Sequence, residues 1–382
     1  MQPTLTSRRI VGIDVARCLA LVGMIATHTL VSINDDGVTA VQQLAGGRAS
    51  ALFAMLAGVS LALMSGGTTP VTGREREAVA GGLTVRALIV ALIGLVLGEL
   101  GTGIAVILTY YGLLFLLGLP FLRFRARALF LLSGGWLVVV PVLSHLLRPH
   151  LPDPTLASPR LDMLASPWQL LTELAFTGYY PVLPWMAYLF VGMAVGRLDL
   201  TRTRTAVDLL VAGSLTALAG WFISVALLDR SGVMGVLRQT YNGSGPLEQD
   251  LSHGLFGTTP TGSWWWLAVH APHSGTPFDL AHTIGSALVI IALCLLVSRL
   301  APRVMAVVFG AGAMSLSLYT LHVVMRSPQI WFEDSTWNFT RHVALVLVIG
   351  AAYALFRMRG PLETLVRRAA EAAAGSVRRA PG

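Results

Sequence analysis

Residues 12–31 read GIDVARCLALVGMIATHTLV. Twenty residues of this apolarity are what a helix needs to cross a hydrocarbon layer about 30 Å thick. Yet this run contains Asp14, Arg17 and His28. A central Arg or Asp costs about 2.5–3.5 kcal/mol on insertion scales, so such residues are candidates for function. The step from Arg17 to His28 is about 20° past three full helical turns and about 16 Å along the axis. The two side chains therefore leave one face of the helix at different depths. Asp14, three residues before Arg17, is close enough to neutralise it. One face thus presents a paired cation near one membrane surface and an imidazole toward the other, as a passage between two sides requires. The plainer reading makes Asp14 and Arg17 an ion pair that orients the helix and His28 a histidine bonded to a neighbouring carbonyl. The shared azimuth of Arg17 and His28 favours function.

Comparable apolar runs fill the 382 residues, of which 54% are hydrophobic and only 12% charged, about half the charged share of a soluble domain. The expected fold is all-α: a polytopic membrane helix bundle of about ten spans, near 10–31, 49–64, 83–100, 104–122, 128–147, 183–196, 206–228, 280–297, 305–325 and 343–356. A single domain over 1–360 would precede an Arg/Ala-rich tail, 361–382, expected as a short amphipathic helix on an anionic leaflet. Ser7-Arg8-Arg9 stands before the first run, but no small-residue cleavage site follows, so that run is expected as a retained helix. The net charge is +8 and every basic residue is Arg. These arginines sit in short loops, which indicates membrane topology and not a nucleic-acid surface. With the N-terminus inside, 19 of the 27 fall in inner segments, which makes both termini cytoplasmic in a plasma membrane. Two long outer segments remain, about 148–180 and 229–279. The first carries WQLLTELAF (168–176), expected as an interfacial helix. The second carries Trp264-Trp265-Trp266, either interfacial anchors or a platform for a sugar. Gly94-xxx-Gly98 and Gly192-xxx-Gly196 read as helix-packing surfaces. Cys18 and Cys294 lie in apolar runs and indicate neither a disulfide framework nor a zinc site.

A second polar set lies toward the outer side. His322 sits in SLSLYTLHVVM at a depth that suits a meeting with His28, Glu99 ends the third span, and Asp279 and His282 open the eighth. His253, His270 and His273 belong to the outer segment. Together they offer a base, a carboxylate to orient it and hydrogen bonds for a polar acceptor. Only His270-x-x-His273 has a spacing that suits a metal, so no metal is expected.

With Arg17 and His28 in its first span, the chain resembles bacterial membrane acyltransferases that modify sugars, in which an Arg and a His stand at this separation. GGRASALFAMLAGVSLAL (46–63) is similar to the second span of that group, with Phe53 and Gly58 matching, and LTVRALIVALIGLVLG (83–98) to its third, with Arg86 matching. The nearest resemblance is to the bacterial branch similar to heparan-alpha-glucosaminide N-acetyltransferase. YYGLLFLLGLP, PVLPWMAYLFVGMAVGRL, HSGTPFDLAHTIG and GAMSLSLYTLHVV extend it to residue 324. Where relatives often carry a denser Arg cluster, this chain has Arg74-Glu75-Arg76 and then Arg86 alone. The resemblance implies transfer of an acetyl or other acyl group from cytoplasmic acyl-CoA to a hydroxyl or amine of an extracytoplasmic glycan. Arg86, Arg123, Arg125 and Arg127 would meet the CoA phosphates, and Arg17, paired with Asp14, the incoming arm. His28 would be the general base, oriented by His322 or Asp279. Direct transfer and an acyl-enzyme both remain open, as does a homo-oligomer. Secondary transport of an anionic solute and a non-catalytic role in envelope assembly are the alternatives.

Overall fold

The computed structural model describes residues 9–257, 259–328, 330 and 337–379; Ser7 and Arg8 lie outside the described residues. Within them the fold is helical apart from one small antiparallel hairpin, Ile33–Asn34 with Gly37–Val38. The chain forms α1 (Val11–Thr29), α2 (Arg48–Met64), α3 (Gly73–Gly98), α4 (Leu108–Gly118), α5 (Ala126–Leu147), α6 (Val182–Gly196), α7 (Thr203–Leu228), α8 (Pro277–Val297), α9 (Ser315–Met325), α10 (Asn338–Leu355) and α11 (Pro361–Arg379), with shorter pieces between them.

Among the described residues seven helices are long and apolar enough to cross a membrane, and nine spans result if two bent pairs each count as one. The protein is a multi-pass membrane protein. The pairs are Pro167–Thr177 with α6, bent by 55°, and Pro302–Val308 with the Gly310–Met325 segment, bent by 59°. The segment expected as an interfacial helix thus leads into α6 across a 55° bend. The expected span at 104–122 falls short. Helix begins only at Leu108, and its apolar helical run ends at Phe121, which gives about 21 Å at 1.5 Å per residue. Gly101 and Gly103, both at positive φ, unwind the chain ahead of it, and residues 102–105 line a polar cavity. Irregular backbone at membrane depth is tolerated where it faces such a cavity.

Burial divides the bundle into two layers. α2 and α6 are almost wholly enclosed, and α1 and α8 largely so, whereas α3, α5, α7 and α10 present most of their surface outward. Small residues set the central contact. A Cβ on Gly58 of α2 would stand 2.8 Å from Met193 N of α6, and one on Gly192 would strike the Met55 carbonyl. Without a hydrophobic drive between helices in lipid, such backbone approach supplies the association. Cys18 and Cys294 are buried free thiols.

Arg197 closes the arginine-rich end of this core. Its buried guanidinium donates to the carbonyls of Ala62 (2.8 Å), Gly67 (2.9 Å) and Leu122 (2.6 Å) and to Ser65 Oγ (2.8 Å). It thereby caps the last turn of α2, whose terminal carbonyls lack helical partners. The tail helix α11 lies along the first half of α3 and not apart from the protein. Arg378 forms a two-pronged pair with Glu75 (2.5 and 2.9 Å), and Arg74 donates to the Val377 carbonyl. An alanine-rich flank lets the two helices approach closely enough for these bonds, as the 2.8 Å from a Gly82 Cβ to the Ala370 carbonyl shows.

Arg197→Ala takes the guanidinium from the Gly67 and Leu122 carbonyls and from Ser65 Oγ at once, a loss expected at about 3–5 kcal/mol. The detergent-solubilised variant should melt well below wild type, with Arg197→Lys between them; a shared melting temperature would remove Arg197 from this role.

Candidate functional site

The site is built along α1. Near its first turn the buried Asp14 carboxylate holds two guanidinium groups, Arg9 Nε at 2.5 Å on one oxygen and Arg17 Nη1 at 3.1 Å on the other. Arg17 Nη2 reaches Ser60 Oγ on α2 at 2.7 Å. Charge-assisted bonds of this kind make a cation tolerable at this depth. Arg17 then faces a narrow cleft of about 120 Å³, together with Ser60, Phe53, Arg86, Tyr111 and Ser315. Arg86 Nε is buried without a hydrogen-bond partner among the described residues. Behind it, Glu363 of α11 accepts from Leu316 N (2.8 Å) and Ser317 N (3.1 Å) at the start of α9. The wall of the cleft itself presents two guanidinium groups, Arg17 and Arg86, and no carboxylate among the described residues, which suits an anion.

Three turns along the same helix, His28 opens into a second cavity of about 350 Å³, which Ser50, Tyr180, His253, His273 and Arg326 also line. His28 Nδ1 lies 3.1 Å from His322 Nε2, with ring planes 8° apart, leaving Nε2 for whatever occupies the cavity. His322 Nδ1 lies in turn 2.8 Å from Nδ1 of His342 on α10. The two cavities are lined by the same helices: His28 and Arg17 on α1, and Ser50 and Phe53 on α2. A Phe53–Tyr111 layer lines the cleft next to Ser50, which lines the cavity. Phe53 stacks on Tyr111 at 5.7 Å between centroids, and the Tyr111 hydroxyl donates to the Ser50 carbonyl at 3.3 Å.

The expected residues are sorted by this arrangement. Asp14, Arg17 and Arg86 meet at the cleft, and His28 meets His322 at the cavity. Arg123 and Arg125 lie on the loop into α5 and Arg127 in its first turn; Arg123 rests over the Phe124 ring at 5.5 Å, and none of the three lines the cleft. Asp279 is elsewhere engaged. Its carboxylate accepts from Gly275 N (3.0 Å), and Thr276, the N-cap of α8, accepts from Asp279 N on its Oγ1 (3.2 Å). That cap fixes the turn bearing His273, whose backbone has a φ of +57° and whose ring stacks on Phe256 at 5.4 Å. Glu99 binds Leu161 N (2.8 Å), and His282 bridges Arg48 and the Ala217 carbonyl. Trp266 is buried with its Nε1 on Thr240 (2.9 Å), while Trp264 and Trp265 face an apolar groove between α5 and α7. His270 turns away from His273 to Ser224 (2.9 Å). Among the described residues no group of three His, Cys, Asp or Glu side chains could hold a metal ion. The residue missed in the sequence is His342; a buried histidine at the head of the last span was its signal.

Residues 9–228 match the family described as heparan-alpha-glucosaminide N-acetyltransferase, catalytic. The match includes Arg17, His28 and Arg86 and ends before His322. No curated protein matches the chain.

His270 and His273 stand outside the spans, and burial pushes both down to about 4, with further repulsion on His273 from His253 and on His270 from His282 and Arg48. The unfolded chain binds these protons near pH 6.5 and the folded protein does not, so stability should fall as pH drops from about 6.5 to 4. His273→Gln should flatten the melting temperature against pH over that window. An unchanged slope would show that His273 does not contribute.

Proposed function

The chain belongs to the heparan-alpha-glucosaminide N-acetyltransferase family and is an acetyl-CoA-dependent membrane acyltransferase; from that premise we propose that it passes an acyl group across the membrane along α1. Acetyl-CoA binds from the arginine-rich side, which we read as cytoplasmic, and a hydroxyl or amine of an envelope glycan accepts in the His28 cavity. The observation that carries this reading is one helix lining both cavities, with Arg17 in one and His28 in the other.

The distances agree with it. From phosphate to sulfur the pantetheine arm is an extended chain of 13 covalent bonds. At the 3.3–3.6 Å that three backbone bonds cover in an extended peptide, it reaches about 15 Å. The rise from Arg17 to His28 is about 16 Å. Phosphates held by Arg17 and Arg86 would therefore deliver the thioester carbonyl to His28, provided the Phe53–Tyr111 layer turns aside. A guanidinium suits a phosphate because its donors match two oxygens at once.

At the other end the cavity has the size of a small-ligand site, and between its aromatic walls it carries several polar groups, among them Gln42, Ser50, Thr102 and Arg326, which suit a hydroxyl-bearing acceptor. The acceptor X–H would give its proton to His28 Nε2 as X attacks the carbonyl. For Nε2 to be free as a base, Nδ1 must carry the proton and donate it to His322 Nε2, so His322 selects the working tautomer. The sulfur leaves as thiolate and takes the proton back from His28. The broken α6 and α9 spans are also a feature of transporters, but the family membership favours the enzyme.

Release of CoA thiol from acetyl-CoA, measured with a panel of amino sugars and neutral sugars, tests this reading. His28→Ala should lose at least about a hundredfold in turnover at unchanged melting temperature. Arg86→Gln should raise KM for acetyl-CoA about tenfold, as expected for one charged hydrogen bond, and leave that of the acceptor unchanged. Undiminished turnover by His28→Ala would refute the assignment of the base.

A further inference from the structure

His28, His322 and His342 form a continuous chain of imidazoles drawn from α1, α9 and α10. The successive N···N distances are 3.1 and 2.8 Å. His322 and His342 are fully buried. Both ring nitrogens of His322 are committed to other imidazoles, so it must donate from one and accept on the other. We propose that this chain is a proton relay, in which His322 and His342 take up the charge formed on His28 during acyl transfer. The inference rests on His28 as the base of the proposed reaction.

The chemistry of the partner is the reason. A carboxylate beside a catalytic histidine orients it and stabilises the imidazolium without taking the proton, because its pKa lies about 2.6 units lower. An imidazole partner has the same reference pKa of about 6.5, so transfer between rings is close to thermoneutral. Burial adds a second reason. A charge confined to one ring in a low-dielectric site is expensive, and polarisable chains of hydrogen bonds lower that cost.

Only one direction of the chain leaves His28 Nε2 with its lone pair toward the cavity. His28 Nδ1–H then donates to His322 Nε2, and His322 Nδ1–H donates to His342 Nδ1. As the acceptor oxygen or nitrogen bonds to the carbonyl carbon, its proton passes to His28 Nε2. The Nδ1 proton of His28 moves to His322 and that of His322 to His342, which becomes the imidazolium. When the C–S bond breaks, the sulfur keeps the electron pair. The protons return along the chain, and His28 Nε2–H protonates the thiolate. Acyl-CoA and X–H become acyl-X and CoA thiol, with the three rings neutral again. The charged and titratable groups around the chain are His273 across the cavity, Arg326 and Tyr319 one turn to either side of His322 on α9, and the exposed Arg341 beside His342. His322 and His342 touch neither cavity, so they are positioning residues.

The test is the single-turnover rate of acetyl transfer in mixtures of H2O and D2O, on wild type and on His342→Gln. The Gln carbonyl can accept from His322 Nδ1–H and hold the orientation, but it cannot carry the proton. The wild-type rate should bow downward with deuterium fraction, showing more than one proton in flight, and His342→Gln should bow less, because the last transfer of the chain is lost. That variant should also lose at least about tenfold in kcat while both KM values stay within about twofold. A linear wild-type plot overturns the relay, and so does wild-type kcat in a folded His342→Gln. If that variant fails to fold, the wild-type plot alone decides. His28→Ala separates the two claims: its full activity would refute the base itself, whereas its inactivity beside an unaffected His342→Gln would refute the relay alone.

Discussion

The Asp14 carboxylate, buried and shared between Arg9 and Arg17, is the contact on which the site depends. A guanidinium inside a membrane span is retained only when something neutralises it and satisfies its donors. Asp14 does the first for Arg17, and Ser60 completes the second from α2. With the cation fixed, the rigid rise of α1 fixes the rest. His28 must emerge on the same face about 16 Å away, in the other cavity. A loop could not keep that spacing, whereas an α-helix enclosed by its neighbours can. Gly12 and Gly312 permit the enclosure, since a Cβ on Gly12 would stand 2.7 Å from the Leu295 Cα and one on Gly312 would be 2.9 Å from the Cys18 nitrogen.

The His28 cavity depends on a different device, backbone released from helix. Residues 101–107 unwind before α4, and the 273–276 turn is held by the Gly275 N–Asp279 bond and the Thr276 cap on Asp279 N. His273 takes a left-handed backbone there, and its Nδ1 is buried with no hydrogen-bond partner among the described residues. Strain and an unsatisfied nitrogen facing one cavity are costs that a folded protein retains where a ligand uses them.

Much of this was legible in the sequence because it is local. The pairing of Asp14 with Arg17 and the common face of Arg17 and His28 follow from helical geometry within one run. Depth in the membrane was enough to pair His28 with His322. What was not legible depends on contacts between segments. His342 lies one residue before the apolar run that marks the last span, and only the packing of α10 on α9 brings it to His322. Asp279 looked like an orienting carboxylate because it sits at the right depth, but a carboxylate at a helix start is drawn to the free N–H groups of its own turn. The short α4 hid behind an apolar run long enough to span, since apolarity does not reveal where glycines release the backbone. The docking of α11 on α3 was hidden too, because an alanine-rich amphipathic stretch suits a protein flank as well as a lipid surface.

In the proposed reaction a single molecule of donor bridges the two cavities. A cryo-EM structure with a non-transferable acetyl-CoA analogue measures this directly. Phosphate density is expected against Arg17 and Arg86, with the Phe53–Tyr111 layer displaced and the carbonyl analogue beside His28 Nε2. Phosphates bound on the His28 side, or a thioester that stops short of that layer, would contradict it.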